Sequence, residues 1–278
     1  MSDHLPPGRP PPPPPMAVPP PPPRPPTGSS SVDAGRWAVP FNAFDGLWLV
    51  IWTLLAQLVV GVVIAVALLA TGNSSAFEDG GVLTRGAGLL GVAAIAQLVT
   101  LAGALGYLQV RKRLSGHLLG PGPHGWSKVA LGVGAGIGCY LGVTVMVIVG
   151  SLVVDTGEPN QAALEASTDG PAAFLMAILV AGILAPILEE VVFRGVLFQS
   201  LRQKMGLWAA VALSSLAFTV VHIELLGAPI FLGGLFVLAG FLALLLHWTK
   251  SLVVPIVAHA TFNTITLILA VVLPEVEV

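Results

Sequence analysis

The sequence predicts an all-α, polytopic transmembrane helix bundle of about seven spans, preceded by a disordered, proline-rich tail. Of its 278 residues, 55% are hydrophobic and only 9% are charged, whereas a soluble domain carries about a quarter charged residues. The mean hydropathy is +0.89. Seven apolar stretches are long enough to cross ~30 Å of hydrocarbon at about 1.5 Å per residue. The lipid bilayer is therefore the expected surroundings of most of the chain.

Residues 1–40 form the predicted tail and contain 16 of the 24 prolines. A segment of this composition has no apolar face to bury and cannot hydrogen-bond its own backbone regularly, so we expect a polyproline-II-rich, disordered extension. It could bind a proline-reading partner, or simply act as a solubilising extension. The formal net charge of −2 gives no support for a nucleic-acid partner, which would need a clustered basic surface.

Residues 41–278 form the predicted membrane domain. Its expected spans cover residues 44–70, 84–110, 128–154, 171–200, 207–226, 229–247 and 252–273. A cytosolic N-terminus places ten of the twelve basic residues on the inside and only Arg85 outside, as the positive-inside rule requires. We therefore expect a multi-pass protein of the bacterial plasma membrane with its N-terminus in the cytosol. The short connection between the fifth and sixth expected spans could instead form a re-entrant turn.

The third expected span is rich in glycine. A dinucleotide-binding loop would need a strand before it and a helix after it, and a long apolar segment offers neither. Small residues along a transmembrane helix favour close packing against another helix. We therefore predict a packing role for five of its glycines, which are Gly132, Gly134, Gly136, Gly138 and Gly142.

The fourth expected span contains three charged residues, Glu189, Glu190 and Arg194. Each charge at the bilayer centre costs roughly 2.5–3.5 kcal/mol even on insertion scales, so these side chains should face the protein interior or a water-filled cavity. Glu190 and Arg194 are four residues apart and are expected to pair. Glu189 is rotated by about 100° from Glu190 and is left free to point elsewhere.

Two further spans carry polar residues at helical spacing. His222 follows Phe218 by four residues in the fifth span, and Asn263 follows His259 by four residues in the seventh. The estimated depths of Glu189, His222 and His259 all fall in the middle or cytosolic half of the membrane. We therefore expect these side chains to converge on one site.

A carboxylate and two imidazoles allow two kinds of chemistry. They can deprotonate a water molecule and return the proton to a leaving amine, which is the acid–base work of amide hydrolysis. The amide of Asn263 could then donate to the developing oxyanion. Alternatively, Glu189, His222 and His259 could hold a zinc ion with an open fourth position. The residues alone do not separate the two mechanisms.

Taken together, the motifs resemble those of the CPBP family (CAAX protease and bacteriocin-processing, or Abi) of intramembrane endopeptidases. The resemblance covers about residues 171–273, which would form the catalytic core, and it implies that Glu190 and Arg194 support the site. It rests on three motifs in a specific order and spacing, namely Glu189-Glu190-x-x-x-Arg194, Phe218-x-x-x-His222 and His259-x-x-x-Asn263.

The resemblance implies a peptidase that hydrolyses a bond in a membrane-associated protein or peptide. It implies that Glu189 activates water together with His222, and that His259 and Asn263 stabilise the oxyanion. The family is often labelled metalloprotease, although a metal-independent glutamate mechanism has also been proposed for it, so zinc remains a hypothesis. Two other functions stay open, a non-catalytic scaffold or immunity protein of the same family and a proton- or ion-coupled transporter, because intramembrane charges also mark ion pathways.

Overall fold

The computed structural model describes residues 39–78, 81, 86–111, 118–119, 125–154, 162–222, 225 and 227–273. Almost all of the predicted tail lies outside these residues, so the expectation of disorder stays a prediction. The described part of the chain is helical and contains no strand, which confirms the all-α fold class. Six of its helices are long and apolar enough to cross a membrane.

The helices follow one another in an antiparallel order expected of a multi-pass bundle. The long ones and their two short companions are α1 (Ala43–Ala70), α2 (Gly86–Val110), α3 (Trp126–Ser151), α4 (Ala162–Ser167), α5 (Pro171–Arg202), α6 (Leu207–Val220), α7 (Pro229–Thr249) and α8 (Val253–Val272). Large apolar side chains on the outer surface remain exposed, for example Leu58, Val63 and Leu141. Soluble proteins rarely expose such continuous apolar surface, so this is an integral, multi-pass membrane protein.

The fifth expected span is shorter than the sequence suggested. We expected a span over residues 207–226, but α6 has 14 residues and ends at Val220, which gives about 21 Å at 1.5 Å per residue. His222 consequently lies just beyond the helix, where its backbone N–H donates to the carbonyl of Thr219. The apolar pattern continues past Val220 and gave no sign of this end.

The start of α1 is fixed by a capping box and by contacts to the end of α5. Asn42 and Asp45 exchange side-chain-to-backbone hydrogen bonds of 3.0 and 2.9 Å, which satisfy two orphan N–H groups of the first turn. The hydroxyl of Tyr107 on α2 also donates to Asp45. The amide of Gln203 donates to the carbonyls preceding the cap, so α1 and α5 are tied together at this end.

Helix α5 lies at the centre of the bundle and is not a regular α-helix throughout. It contains two π-helical segments, Ile178–Leu184 and Glu190–Phe198. Pro186 lies between them, and a proline inside a helix removes one N–H donor and clashes with the carbonyl four residues earlier. Single-turn π segments inside helices are frequent at functional sites.

Helices α3 and α8 pack closely through glycine. A Cβ added at Gly132 would lie 2.7 Å from the Val257 side chain, and one added at Gly136 would lie 2.5 Å from the carbonyl oxygen of Ala258. This confirms the packing prediction for two of the five glycines. The other three face open space. The close approach holds α8, which carries His259, firmly in the bundle.

Candidate active site

A fully buried ion pair lies in the middle of α5. The Nη1 atom of Arg194 is 3.0 Å from Oε1 of Glu190, although its N–H direction falls outside hydrogen-bond geometry. The Nη2 atom of Arg194 donates to the carbonyl oxygen of Ala239 on α7 at 3.1 Å. The expected pairing of Glu190 with Arg194 is therefore present, and a backbone carbonyl helps to hold the guanidinium.

The ring of Phe218 on α6 forms the wall of the site. The guanidinium carbon of Arg194 lies 4.4 Å from the ring centroid, within the range of a cation–π contact. The rings of His222 and His259 lie 4.7 and 5.9 Å from the same ring. One buried phenyl ring thus contacts three of the polar groups on three different segments.

His259 on α8 bridges the two glutamates of α5. Its Nδ1 atom lies 2.9 Å from Oε1 of Glu190, and its Nε2 atom lies 3.8 Å from Oε2 of Glu189. An ionised carboxyl group can only accept, so with Glu190 paired to Arg194 as an anion, Nδ1 of His259 is the donor in this contact. The imidazole is therefore oriented with Nε2 toward Glu189. We call Glu190, Arg194 and His259 the buried triad.

Glu189 has different surroundings from its neighbour in the sequence. Its side chain is 19% exposed, whereas the side chain of Glu190 is fully buried. Successive helical residues differ by about 100° in direction, so Glu190 lies inside the triad, whereas Glu189 reaches a partly open space beside Nε2 of His259. This confirms that Glu189 points away from the Glu190–Arg194 pair.

His222 approaches the same region from the end of α6. Its Nδ1 atom lies 2.7 Å from the carbonyl oxygen of Phe218. A carbonyl accepts but cannot donate, so Nδ1 carries the proton and Nε2 of the neutral ring is free to accept one. His222 is half-buried. We call Glu189 and His222 the open pair.

Asn263 lies one turn beyond His259 on α8. Its Nδ2 atom donates to the carbonyl oxygen of Ala181 on α5 at 2.8 Å. The structure thus brings Arg194, His222 and His259 around Phe218. It places Glu189 and Glu190 beside His259, and Asn263 against the backbone of the first π segment. An amide carries two N–H groups, and this contact uses one of them.

The expected zinc ligands do not form a ligand set. No three His, Cys, Asp or Glu side chains in the described part of the chain are placed to hold one metal ion. Instead, His222 bonds the backbone carbonyl of Phe218 and His259 bonds Glu190. Glu189 only approaches His259, at 3.8 Å. The hydrolysis proposed for this site therefore uses the side chains themselves.

Sequence reasoning missed several parts of the site. Phe218 was part of a motif but received no role, and its position four residues before His222 was the available signal. The carbonyl of Ala239 carries no signal at all, because every residue has a carbonyl group. The π-helical segments were also missed, although Pro186 marked an irregularity in α5.

The fold and this cluster define a multi-pass membrane protein with a buried carboxylate–imidazole site. Residues 171–265 match the family model described as Rce1-like, type II CAAX prenyl endopeptidase. The protein of Bacillus subtilis (strain 168) named "Putative membrane peptidase YdiL" is 38% identical over 93 residues, which are 33% of this chain and 36% of that protein. No solved structure matches the chain significantly. These matches confirm the resemblance to the CPBP family of membrane proteases in the region that carries the site.

The chain thus spans about a third of the length of the curated relative that it matches. The matched region begins with α5 and includes the whole candidate site. Helices α1 to α3 precede it and lie outside the family match. The activity, substrate and partners of the whole protein are accordingly matters of proposal.

Proposed function

We propose that this protein is an intramembrane endopeptidase that hydrolyses a peptide bond of a membrane-associated protein or peptide. The observation that carries the proposal is the partly exposed Glu189 carboxylate, which faces His259 while its neighbour Glu190 is fully buried in the triad. An accessible base beside a fixed imidazole is what water activation requires. The family match supports the same class of reaction.

In the proposed reaction the open pair removes a proton from water. Glu189 accepts this proton, Nε2 of His222 accepts a hydrogen bond from the other O–H of the water, and the water oxygen forms a bond to the carbonyl carbon of the substrate. The carbonyl π electrons move to oxygen and give an oxyanion. The accepted proton then passes to the amide nitrogen, the C–N bond breaks, and a carboxylic acid and an amine leave.

The buried triad stabilises the oxyanion through His259. Because Nδ1 already donates to Glu190, Nε2 donates only when the ring is an imidazolium, and a buried carboxylate stabilises that form. At that stage Glu190 pairs with Arg194 and Glu189 carries the proton of water, so the imidazolium and the oxyanion are left as two opposite charges. The second N–H of Asn263 is the other proposed donor, as in an oxyanion hole.

We also propose a cytosolic N-terminus and a site that is reached from the cytosolic side. The support is the distribution of Lys and Arg in the connecting segments. Reporter fusions at the N-terminus and after residue 273 should report the cytosol and the outside, respectively. The opposite pattern would contradict this orientation.

Replacing Glu189 by Gln tests the proposed activity. The full chain is reconstituted in liposomes with a library of fluorescence-quenched peptides that carry an apolar anchor. We expect the variant to lose cleavage by at least about 100-fold, as general acid–base catalysis contributes 10²–10⁴-fold. Glu165→Gln is the matched control, because Glu165 is an exposed glutamate of α4. Undiminished cleavage by Glu189→Gln would overturn the mechanism.

The same assay separates the metal-free mechanism from zinc chemistry. We expect cleavage to persist after thorough chelation, and elemental analysis of the purified protein to find less than stoichiometric zinc. Loss of cleavage on chelation, restored by added zinc, would show that Glu189, His222 and His259 rearrange to bind metal. Absence of cleavage by the unmodified chain would favour the scaffold, and solute uptake would favour the transporter.

A further inference from the structure

The first π segment of α5 ends where the chain can no longer donate a hydrogen bond. Ala185 donates its backbone N–H to the carbonyl oxygen of Val180, five residues earlier. The next bond in this register would join residue 186 to the carbonyl of Ala181. Residue 186 is a proline and has no N–H. The sequence of α5 therefore leaves this carbonyl without its donor in the ladder.

Asn263 supplies a donor to that carbonyl from another helix. Its Nδ2 atom lies 2.8 Å from the carbonyl oxygen of Ala181. We infer that Asn263 replaces the backbone N–H that Pro186 lacks and thereby holds the π-helical form of α5. A backbone acceptor left unsatisfied in hydrocarbon is costly, so the amide gives the irregular helix a partner that its own chain cannot provide.

Close packing beside the contact makes this reach possible. Gly182 follows Ala181, and a Cβ added there would lie 3.0 Å from Oγ1 of Thr264, the residue after Asn263. Glycine at this position lets the backbones of α5 and α8 approach. The amide and the glycine are thus two parts of one contact between the same two helices.

This contact bears on the orientation of Glu189. Helices α5 and α8 are joined at Ala181–Asn263 and again at Glu190–His259, where Nδ1 and Oε1 are 2.9 Å apart. Two separated ties fix the rotation of α5 about its axis, which decides which residue faces Nε2 of His259. Asn263 is therefore a positioning residue for Glu189 in addition to its proposed oxyanion role. The effect on cleavage rests on the proposed function, whereas the effect on stability does not.

A pair of substitutions tests the inference in the full chain. Asn263→Ala is made in the native background and in a Pro186→Ala background, where residue 186 regains an N–H. The thermal unfolding midpoint in detergent micelles should fall by roughly 3–8 °C in the native background. In the Pro186→Ala background the same change should lower the midpoint by less than about a third of that amount. Equal losses in both backgrounds would overturn the inference.

Thr266→Ala is the matched control on α8. Its hydroxyl bonds the carbonyl of Phe262 within the same helix, so its effect should be the same in both backgrounds. Should Pro186→Ala fail to fold, Pro186→Ser restores the same N–H and replaces it. An effect of Thr266→Ala that also depends on residue 186 would count against the inference, because the coupling would then be unspecific.

Cleavage gives a second readout that a purely structural role would not move. Asn263→Ala should lower kcat/KM, and adding Pro186→Ala should recover at least about tenfold of that loss. Cleavage in the double variant should stay below that of Pro186→Ala, because the oxyanion donor is still missing. Recovered stability without recovered cleavage would overturn the positioning of Glu189. Failure of the proposed function would be recognised separately, because Glu189→Gln would then cleave as well as the unmodified chain.

Discussion

Glu189 and Glu190 are adjacent in the sequence, yet they belong to two regions with opposite properties. Glu190 is fully buried in the triad, where Oε1 meets both Arg194 and His259. Glu189 belongs to the open pair, is partly exposed, and comes no nearer than 3.8 Å to Nε2 of His259. One residue along a helix is enough to move a carboxylate from a fully buried position to an accessible space.

This difference separates the carboxylate that is proposed to activate water from the groups whose burial ties them to the stability of the fold. A buried ion pair is costly to break, because removing one partner leaves an uncompensated charge. A partly exposed carboxylate keeps access to water and can exchange protons. We therefore expect substitutions in the buried triad to change stability, and substitutions in the open pair to change cleavage while leaving stability nearly unaffected.

The largest expected effect comes from removing the buried carboxylate. Glu190→Leu leaves the guanidinium of Arg194 buried without its partner, and we expect the free energy of unfolding to fall by about 3–5 kcal/mol. Denaturation in mixed micelles measures it. The double variant Glu190→Leu/Arg194→Met removes both charges and should lose less than half as much. Equal losses in the single and double variants would contradict the role of the pair.

Replacing the buried histidine should cost more stability than replacing the half-buried one. His259→Leu removes a donor to a buried carboxylate, and we expect a loss of about 1–3 kcal/mol in the free energy of unfolding. His222→Leu changes a half-buried residue beyond the end of α6 and should cost less than about 1 kcal/mol. The same micelle denaturation compares them. A larger loss for His222→Leu would reverse the assignment of buried and open groups.

Phe218 connects the two regions and should affect both properties. Phe218→Leu removes the cation–π contact with Arg194 and the ring between His222 and His259. We expect the free energy of unfolding to fall by about 1–2 kcal/mol. Cleavage should fall as well, since both imidazoles lose a contact. Phe198→Leu is the control, because Phe198 is equally buried on α5. Comparable cleavage by the two variants would show that the Phe218 ring acts only as core.

The smallest stability effect is expected at Glu189. Glu189→Gln keeps the size of the side chain and changes a partly exposed group, so the free energy of unfolding should change by less than about 1 kcal/mol. The circular dichroism spectrum and the denaturation of this variant in micelles should match those of the unmodified chain. A loss as large as that of Glu190→Leu would mean that Glu189 belongs to the buried triad.

Much of the site could be predicted because charge is costly in a membrane. Glu189, Glu190 and Arg194 are unusual within an apolar stretch, and their spacing alone paired Glu190 with Arg194 correctly. His222 and His259 were recognised for the same reason. The end of α6 could not be predicted, because residues 221–226 are still largely apolar and the position of a helix end depends on tertiary contacts.

Other features had no signature in side-chain chemistry. Nothing in the sequence distinguishes the carbonyl of Ala239, which accepts from Arg194, from other carbonyls. Pro186 removes a donor from α5, but only the π register shows that the carbonyl of Ala181 is the one left without it. The expectation for Asn263 considered only its chemistry toward a substrate, and the structure adds a backbone partner on α5. Of the five glycines of α3 that were predicted to pack, the sequence could not say which two face α8, because all five satisfy the same small-residue pattern.

The sequence by itself determined that this chain is a multi-pass helical membrane protein with few intramembrane charges and a CPBP-like set of motifs. Composition and spacing are sufficient for this, since the bilayer imposes a length on spans and a cost on charges. Only the tertiary structure decided which carboxylate is buried, which nitrogen of each imidazole carries a proton, and which backbone groups complete the site. These depend on distances between helices that are far apart in the sequence, and on packing rather than on residue type.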